Sequence, residues 1–401
     1  MDSGSEITKN FDQLTAKLGT WPAEPLRITD AALDDMLVWA VNQGASDVTI
    51  QTDRPVYIEV DGILFPVTRR NLDPADLTII LNRIYGTDAL AKLASGTDLD
   101  LSYEVRLDRY TRYRFRVNIT AMMSRGRDSV QITLRSLPSL PPTMKELGVE
   151  QKIIENWSPR QGLILVTGPT GSGKTTLLAS GCRMLIERSE GCGKLLTYEA
   201  PIEFVYDAIT GPRSLVAQSE IPRHLPSFAA GVRNALRRKP NIILVGESRD
   251  RETVTAAVEA GQTGHLVFST VHTIGVAATV RRIVSVFDPA ERTERAFAMI
   301  ETLRMVVTQA LVPKVGGGRI GLREYMVFDE VVRETLLDLP IERWTNETQR
   351  LLLRHGQSME QTATRAFKSG VIDRRTYLHL VKGYSGSDSE KDEAETQSEE
   401  V

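Results

Sequence analysis

The chain has few of the features that mark an oxidising compartment or a bilayer. Its 401 residues include two cysteines, Cys182 and Cys192, too few for a disulfide framework or a four-thiolate zinc site. Long hydrophobic runs are missing too: stretches such as "LILV" and "NIILV" fall far short of a membrane span. The opening "MDSGSEITKN" is acidic and polar, without the apolar core of a secretory signal. These absences set the expectation of a cytoplasmic protein. What is present, 41% hydrophobic and 25% charged residues, is ordinary for a soluble globular chain, and the length admits two or three domains.

The net charge of −3 conceals an asymmetry. "SGSDSEKDEAETQSEEV" (385–401) carries seven acids and one lysine, so the total divides into −6 there and +3 elsewhere. With almost nothing apolar to bury, this segment is expected to be a disordered acidic tail. Residues 1–25 are expected to be a flexible N-terminus.

From 26 to 137 the pattern reads as a small α+β domain. "ITDAALDDMLVWAVNQG" has a helix cap at Thr29 or Asp30 and a stop at Gly44. "ASDVTIQ" and "VYIEVDGILFPV" alternate as strands, with an Asp61-Gly62 hairpin turn. Two helical segments follow, then the strands "DLDLSYEV", "YRFRVNITAMM" and "DSVQITLRSL". Residues 138–144 ("PSLPPTM") form a proline-bearing linker. Beyond it, from 145 to 384, the unbroken apolar runs "GLILVTG", "KLLTYE", "NIILVGE" and "HLVFSTV" alternate with helical segments. Strands buried on both faces and joined through helices imply a parallel α/β sheet. "TERAFAMIETLRMVVTQALV" and the segments from 345 to 382 read as a helical end.

"GPTGSGKT", Gly168 to Thr175, fits the phosphate-loop pattern, with a strand leading in and a helix leading out. Gly168, Gly171 and Gly173 let the backbone curl so that its N–H groups face phosphate oxygens. Lys174 is placed to reach the β- and γ-phosphates and the Thr175 hydroxyl to ligate magnesium. Pro169, Thr170, Ser172 and Thr176 complete the expected nucleotide-binding segment.

Ligands of such sheets lie at the carboxyl ends of the strands. Two further strand ends carry acids, "LLTYEAPIEF" with Glu199 and Glu203, and "NIILVGESRD" with Glu247. Many nucleotide hydrolases have an aspartate where Gly246 stands. The expected division of labour gives Glu247 to magnesium, through a water, and Glu199 to the attacking water. Glu203 either braces the loop or has a structural role. In "GHLVFSTVHT" the histidines His265 and His272 lie seven apart, so they point to opposite faces of one strand, and only His272 is at the ligand end. His272 is the candidate γ-phosphate sensor, and His265 has a structural alternative.

"RLDRYTRYRFRVNI" holds Arg106, Arg109, Arg112, Arg114 and Arg116, the last three alternating onto one face. Three readings stay open: a nucleic-acid surface, a solvated edge strand, or arginines aimed at a neighbouring subunit's triphosphate.

Taken together, "GPTGSGKTT", "TYEAPIEF", "IILVGESRD" and "TGHLVFSTVHT" resemble the secretion ATPases of the PilT/VirB11/GspE superfamily. "GASDVTIQTDRPVYIEVDGIL" resembles that family's N-terminal domain. The resemblance implies a RecA-like P-loop NTPase domain behind a smaller PAS-like α+β domain, with ATP and Mg2+ as cofactors. It maps the acidic-box glutamate onto Glu199, the Walker B glutamate onto Glu247, the histidine pair onto His265 and His272, and the arginine fingers onto Arg116 and Arg135. It further implies a homo-hexamer that works with membrane-associated secretion components, with room for a second cytoplasmic ATPase in the same machine. Direct nucleic-acid binding is not expected. Departures narrow the group: Ala200 replaces the usual aspartate, the four-cysteine motif of assembly ATPases is absent, and "LTYEAPIEFVYDAI" is most similar to the DotB/TraJ group. The implied function is a cytoplasmic ATPase, peripheral to the inner membrane, driving type IVB (Dot/Icm) secretion or conjugal transfer. A PilT-type retraction motor is the alternative, and a nucleic-acid-stimulated P-loop ATPase a further one.

Overall fold

The computed structural model describes residues 19–60, 62–108, 111–137 and 140–383. The expected acidic tail, Arg109, Asp61 of the hairpin turn and most of the expected flexible N-terminus lie outside them. The described chain divides into two units: one runs to Leu140 and also takes in Pro201–Ala208, and the other comprises Pro141–Ala200 and the chain from Ile209.

In the first unit, α1 (Asp30–Asn42) starts where Thr29 Oγ1 accepts from Ala32 N at 3.2 Å. The strands are β1 (Asp47–Gln51), β2 (Tyr57–Val60), β3 (Ile63–Pro66), β4 (Leu99–Arg106), β5 (Arg112–Ser124) and β6 (Arg127–Leu137), with α2 (Pro74–Ile84) and α3 (Ala89–Ala94) between β3 and β4. All pairings are antiparallel, in the order β3-β2-β1-β6-β5-β4. Leu33, Met36, Leu37, Ile50, Ile58, Phe115, Val117 and Ile132 belong to its core. The flexible segment expected over 1–25 does not extend to Trp21. Trp21 is 1% exposed among the apolar residues of this core; its backbone N–H donates to Val67 O at 2.8 Å and its indole N–H to Asp35 Oδ2 at 3.3 Å.

The second unit contains α4 (Gln151–Glu155), β7 (Gly162–Thr167), α5 (Lys174–Glu187), β8 (Gly193–Glu199), β9 (Ser214–Glu220), α6 (Phe228–Ala235) and β10 (Ile242–Val245). It continues with α7 (Arg251–Gln262), β11 (Leu266–Val271), α8 (Val276–Val286), α9 (Arg292–Thr302), β12 (Leu303–Pro313), β13 (Arg319–Val327), α10 (Glu330–Leu337), α11 (Ile341–His355), α12 (Met359–Lys368) and α13 (Arg374–Gly383). Its sheet runs β13-β12-β7-β11-β10-β8-β9, parallel from β12 to β9 with β13 antiparallel at the edge. Every residue of β7, β10 and β11 is buried, which is why those runs read as unbroken apolar strands.

One expectation is corrected. The helix read through "TERAFAMIETLRMVVTQALV" ends at Thr302, and Leu303–Pro313 is strand β12. The stretch Met305–Thr308 includes three β-branched residues and pairs with β7 on one side and β13 on the other. A buried strand and a buried helix share the same apolar run, and the sheet decides between them. Among the described residues no helix is long and apolar enough to cross a membrane.

Candidate active site

The parallel strands of the second unit bring their carboxyl ends to one edge. In the sheet order β7, β11, β10, β8, those ends lead into the phosphate loop, His272, Glu247 and Glu199. Four motifs separated in sequence therefore sit on four neighbouring strands, where an α/β sheet binds ligands.

The loop adopts left-handed backbone at Gly168, Gly171 and Gly173, with φ of 139°, 77° and 79°. Space is as restrictive as conformation. A Cβ on Gly168 would stand 2.3 Å from the Gln309 carbonyl oxygen, and one on Gly173 would stand 2.9 Å from Gln309 Nε2. Helix α5 begins at Lys174 with no side chain capping it, so its first-turn N–H groups suit an anion. The buried Lys174 ammonium donates to the Gly168 and Pro169 carbonyls, both at 2.9 Å. Ser172 is buried and its hydroxyl has no hydrogen-bond partner. Thr175 and Thr176 are half-buried in the first turn. A glycine cradle, an uncapped helix start, a lysine and an unsatisfied hydroxyl together fit a phosphate group. Pro169, Thr170, Gly171 and Ser172 also line a cavity of about 780 Å³ whose other walls include Ile274, Leu311, Arg375 and His379.

Glu199 is 5% exposed. Its Oε1 accepts from Thr197 Oγ1 at 2.6 Å and from Gln218 Nε2 at 3.1 Å. These donors supply the local support that Ala200, which is exposed, does not. Thr197 was within reach of sequence reasoning, because residues two apart on a strand share a face. Gln218 was not, because β9 had no recognised pattern.

Gly246 also has a structural reason. Its N–H donates to Tyr198 O at 2.7 Å, and its carbonyl accepts from Thr270 Oγ1 at 2.6 Å. A Cβ there would lie 3.1 Å from Tyr198 O and 3.3 Å from Glu199 Cα. The tip of β10 thus packs tightly on the backbone that carries Glu199. Glu247, one residue on, lies 3.7 Å from His272 Nε2, and both side chains are partly exposed. His265 stands apart from them: its Nδ1 is 3.0 Å from Ala260 O and 3.3 Å from Thr263 Oγ1, a satisfied structural position.

In the first unit the arginine strand is not an edge, since β5 lies between β6 and β4. The solvated-edge reading is set aside on that ground. Arg114 is 5% exposed and donates to the Glu203 and Ile202 carbonyls at 2.7 and 2.8 Å, while Arg112 pairs with Asp207 at 2.8 Å. Glu203 thus receives Arg114 through its backbone carbonyl, and its carboxylate lies 4.0 Å from the Arg116 guanidinium. Arg116 and Arg135 are direct cross-strand partners on β5 and β6. Like charges so placed repel, and each has its own acid: Asp100 at 2.9 Å from Arg116, Asp47 at 2.9 Å from Arg135. Both guanidiniums stay substantially exposed, side by side on one face.

Comparison with known proteins agrees with this geometry. The family described as type II/IV secretion system protein matches residues 24–373. The type IV pilus retractation ATPase PilT of Pseudomonas aeruginosa is 38% identical over 307 residues, 76% of this chain and 85% of that protein. The structure of the Legionella pneumophila ATPase DotB shares 49% identity at a TM-score of 0.80, covering 90% of this chain and 98% of that one. The pilus retraction motor PilT with bound ADP shares 32% identity at a TM-score of 0.77, covering 93% and 100%.

Proposed function

The chain belongs to the type II/IV secretion system protein family, with the RecA-like two-domain architecture of the DotB and PilT ATPases, and from that premise we propose that it is an ATPase that drives a type IVB secretion or conjugal transfer machine. The observation that carries the reading is the row of phosphate loop, His272, Glu247 and Glu199 on adjacent strand ends. The likeness to DotB over nearly its whole length favours type IVB among the machines this family serves. The likeness to PilT supports a second reading, a retraction motor.

Bound ATP supplies the phosphoanhydride, and magnesium the counter-charge, on which the hydrolysis depends. Among the described residues no group of three or more His, Cys, Asp or Glu could hold a metal ion. Thr175 and Glu247 would therefore share the ion with oxygens from the nucleotide, Glu247 through a water. Loop N–H groups and Lys174 bind the phosphates. Glu199, fixed by Thr197 and Gln218, orients water and accepts its proton. His272, beside Glu247, is the sensor. Arg116 and Arg135 are the charges offered to a neighbouring subunit's site in a homo-hexamer, held until then by Asp100 and Asp47. The cytoplasmic face of the inner membrane is the working place of such a ring, beside membrane-associated secretion components. Arg114 is buried on backbone carbonyls and Arg112 is paired with Asp207, so neither is offered to nucleic acid.

The test joins mass to chemistry. The wild-type chain should form a hexamer with ATP and magnesium and release phosphate, and Lys174→Ala should release none. Phosphate release unchanged by Lys174→Ala would refute the assignment. Restored effector translocation or plasmid transfer in a strain lacking the gene supports the type IVB reading, whereas restored twitching alone would favour the retraction motor.

A further inference from the structure

We propose that Gln309, a strand residue outside every nucleotide motif, is a positioning residue for the phosphate loop. Gln309 lies on β12 and is 4% exposed. Its amide is polarised from both ends. Arg323 Nε donates to its Oε1 at 2.8 Å, and its Nε2 donates to the Ser172 carbonyl at 2.7 Å. The first bond fixes the second, because an arginine can only donate, so the amide oxygen must face it and the NH2 must face the loop. Arg323 is 2% exposed and is itself held by Glu150 at 3.3 Å and by the Leu147 and Gly148 carbonyls at 3.1 and 3.2 Å.

The consequence falls on the loop's N–H groups. A peptide plane whose carbonyl is drawn toward Gln309 turns its N–H the opposite way, and the plane after Ser172 carries the Gly173 N–H. Gln309 also occupies the space behind two loop glycines: its carbonyl oxygen backs Gly168 and its Nε2 backs Gly173. The side chain therefore sets the direction of a donor and fills the space behind Gly173, while the backbone carbonyl of the same residue closes the space behind Gly168. The chain from Glu150 through Arg323 and Gln309 to Ser172 holds the loop in this shape by groups that never touch phosphate.

This inference rests on the nucleotide reading, and the test separates the two. Gln309→Glu keeps the size of the side chain and gives Arg323 a carboxylate partner, but it replaces the donor to Ser172 with an acceptor. Affinities of wild type and variant for ATP and for ADP are measured by calorimetry, the melting temperature is taken without nucleotide, and hydrogen exchange is followed in the loop peptide. The expected result is ATP and ADP affinities lowered together by roughly tenfold or more, faster loop exchange, KM raised more than kcat is lowered, and a melting temperature near wild type. Gln309→Met, which removes both hydrogen bonds at similar volume, should show the same affinity loss. Wild-type affinities in a folded Gln309→Glu overturn the proposal, as does a lowered melting temperature with unchanged affinities. If neither variant folds, Gln309 is a residue of the fold and the proposal fails. Absence of nucleotide binding by the wild type would instead overturn the reading beneath it.

Discussion

Thr197→Val tests the assignment of Glu199 most sharply, because it changes one atom and leaves the glutamate in place. The two side chains have nearly the same shape, so the perturbation is the loss of the 2.6 Å bond to Glu199 Oε1. A hydrogen bond to a charged group contributes about 1.5–3 kcal/mol. The carboxylate is 5% exposed, so solvent cannot replace the donor fully, and Gln218 at 3.1 Å remains as the weaker support. Stability should therefore fall by about 1.5–3 kcal/mol. If half of that interaction serves to orient the carboxylate toward water, turnover should fall by about 4–13-fold, at 1.36 kcal/mol per factor of ten. The assay is phosphate release at saturating ATP together with urea unfolding, run as a double-mutant cycle with Glu199→Gln. In the Glu199→Gln background, which itself should bind ATP without turning it over, Thr197→Val should not lower turnover further. A folded Thr197→Val enzyme at wild-type rate, or a loss that adds fully to that of Glu199→Gln, would show that Glu199 is not the group that handles water.

Other consequences are equally concrete. Gly246→Ala should destabilise by about 1–3 kcal/mol, because its Cβ would press on Tyr198 O and Glu199 Cα; equal stability would mean the β10 tip relaxes freely. Arg116→Ala should impair hydrolysis in the ring, and mixing it with Lys174→Ala should restore part of the rate if the arginine acts across subunits; no rescue would confine it to its own chain. Burial alone would push the Asp76 carboxyl up, but the Arg70 guanidinium and the Ile28 and Asp73 N–H groups outweigh it and hold it below its usual value. A depressed folded pKa contributes stability above the unfolded value, about 3.9, and loses it as pH falls through the folded one. The stability gap between wild type and Asp76→Asn should thus be full at neutral pH and shrink below about pH 4, and a gap independent of pH would contradict the pairing.

How far sequence alone carries this molecule depends on whether the information is local. The phosphate loop could be read because its glycines, lysine and threonine act within eight residues. Glu199, Glu247 and His272 could be read because each ends an apolar strand. Their grouping needed the strand order, which no short window contains. Strand β12 was misread as helix because burial on both faces erases the alternation that marks a strand. That error also hid Gln309, since a glutamine in an imagined helix has no reason to face the loop. The arginine strand was read correctly as one-faced, but only the sheet order showed it to be interior. Arg114 is spent on the Ile202 and Glu203 carbonyls, leaving Arg116 and Arg135 as the adjacent pair. Gly246 looks like a missing acid in the sequence, whereas the packing shows a tight contact, with a Cβ 3.1 Å from Tyr198 O and 3.3 Å from Glu199 Cα.

The most direct test of the central claim is calorimetric titration of the purified chain with ATP and ADP in magnesium, beside Lys174→Ala. The account predicts saturable binding of both nucleotides by the wild type and its loss in the variant. No binding by the folded wild type, or binding unchanged by Lys174→Ala, would contradict it.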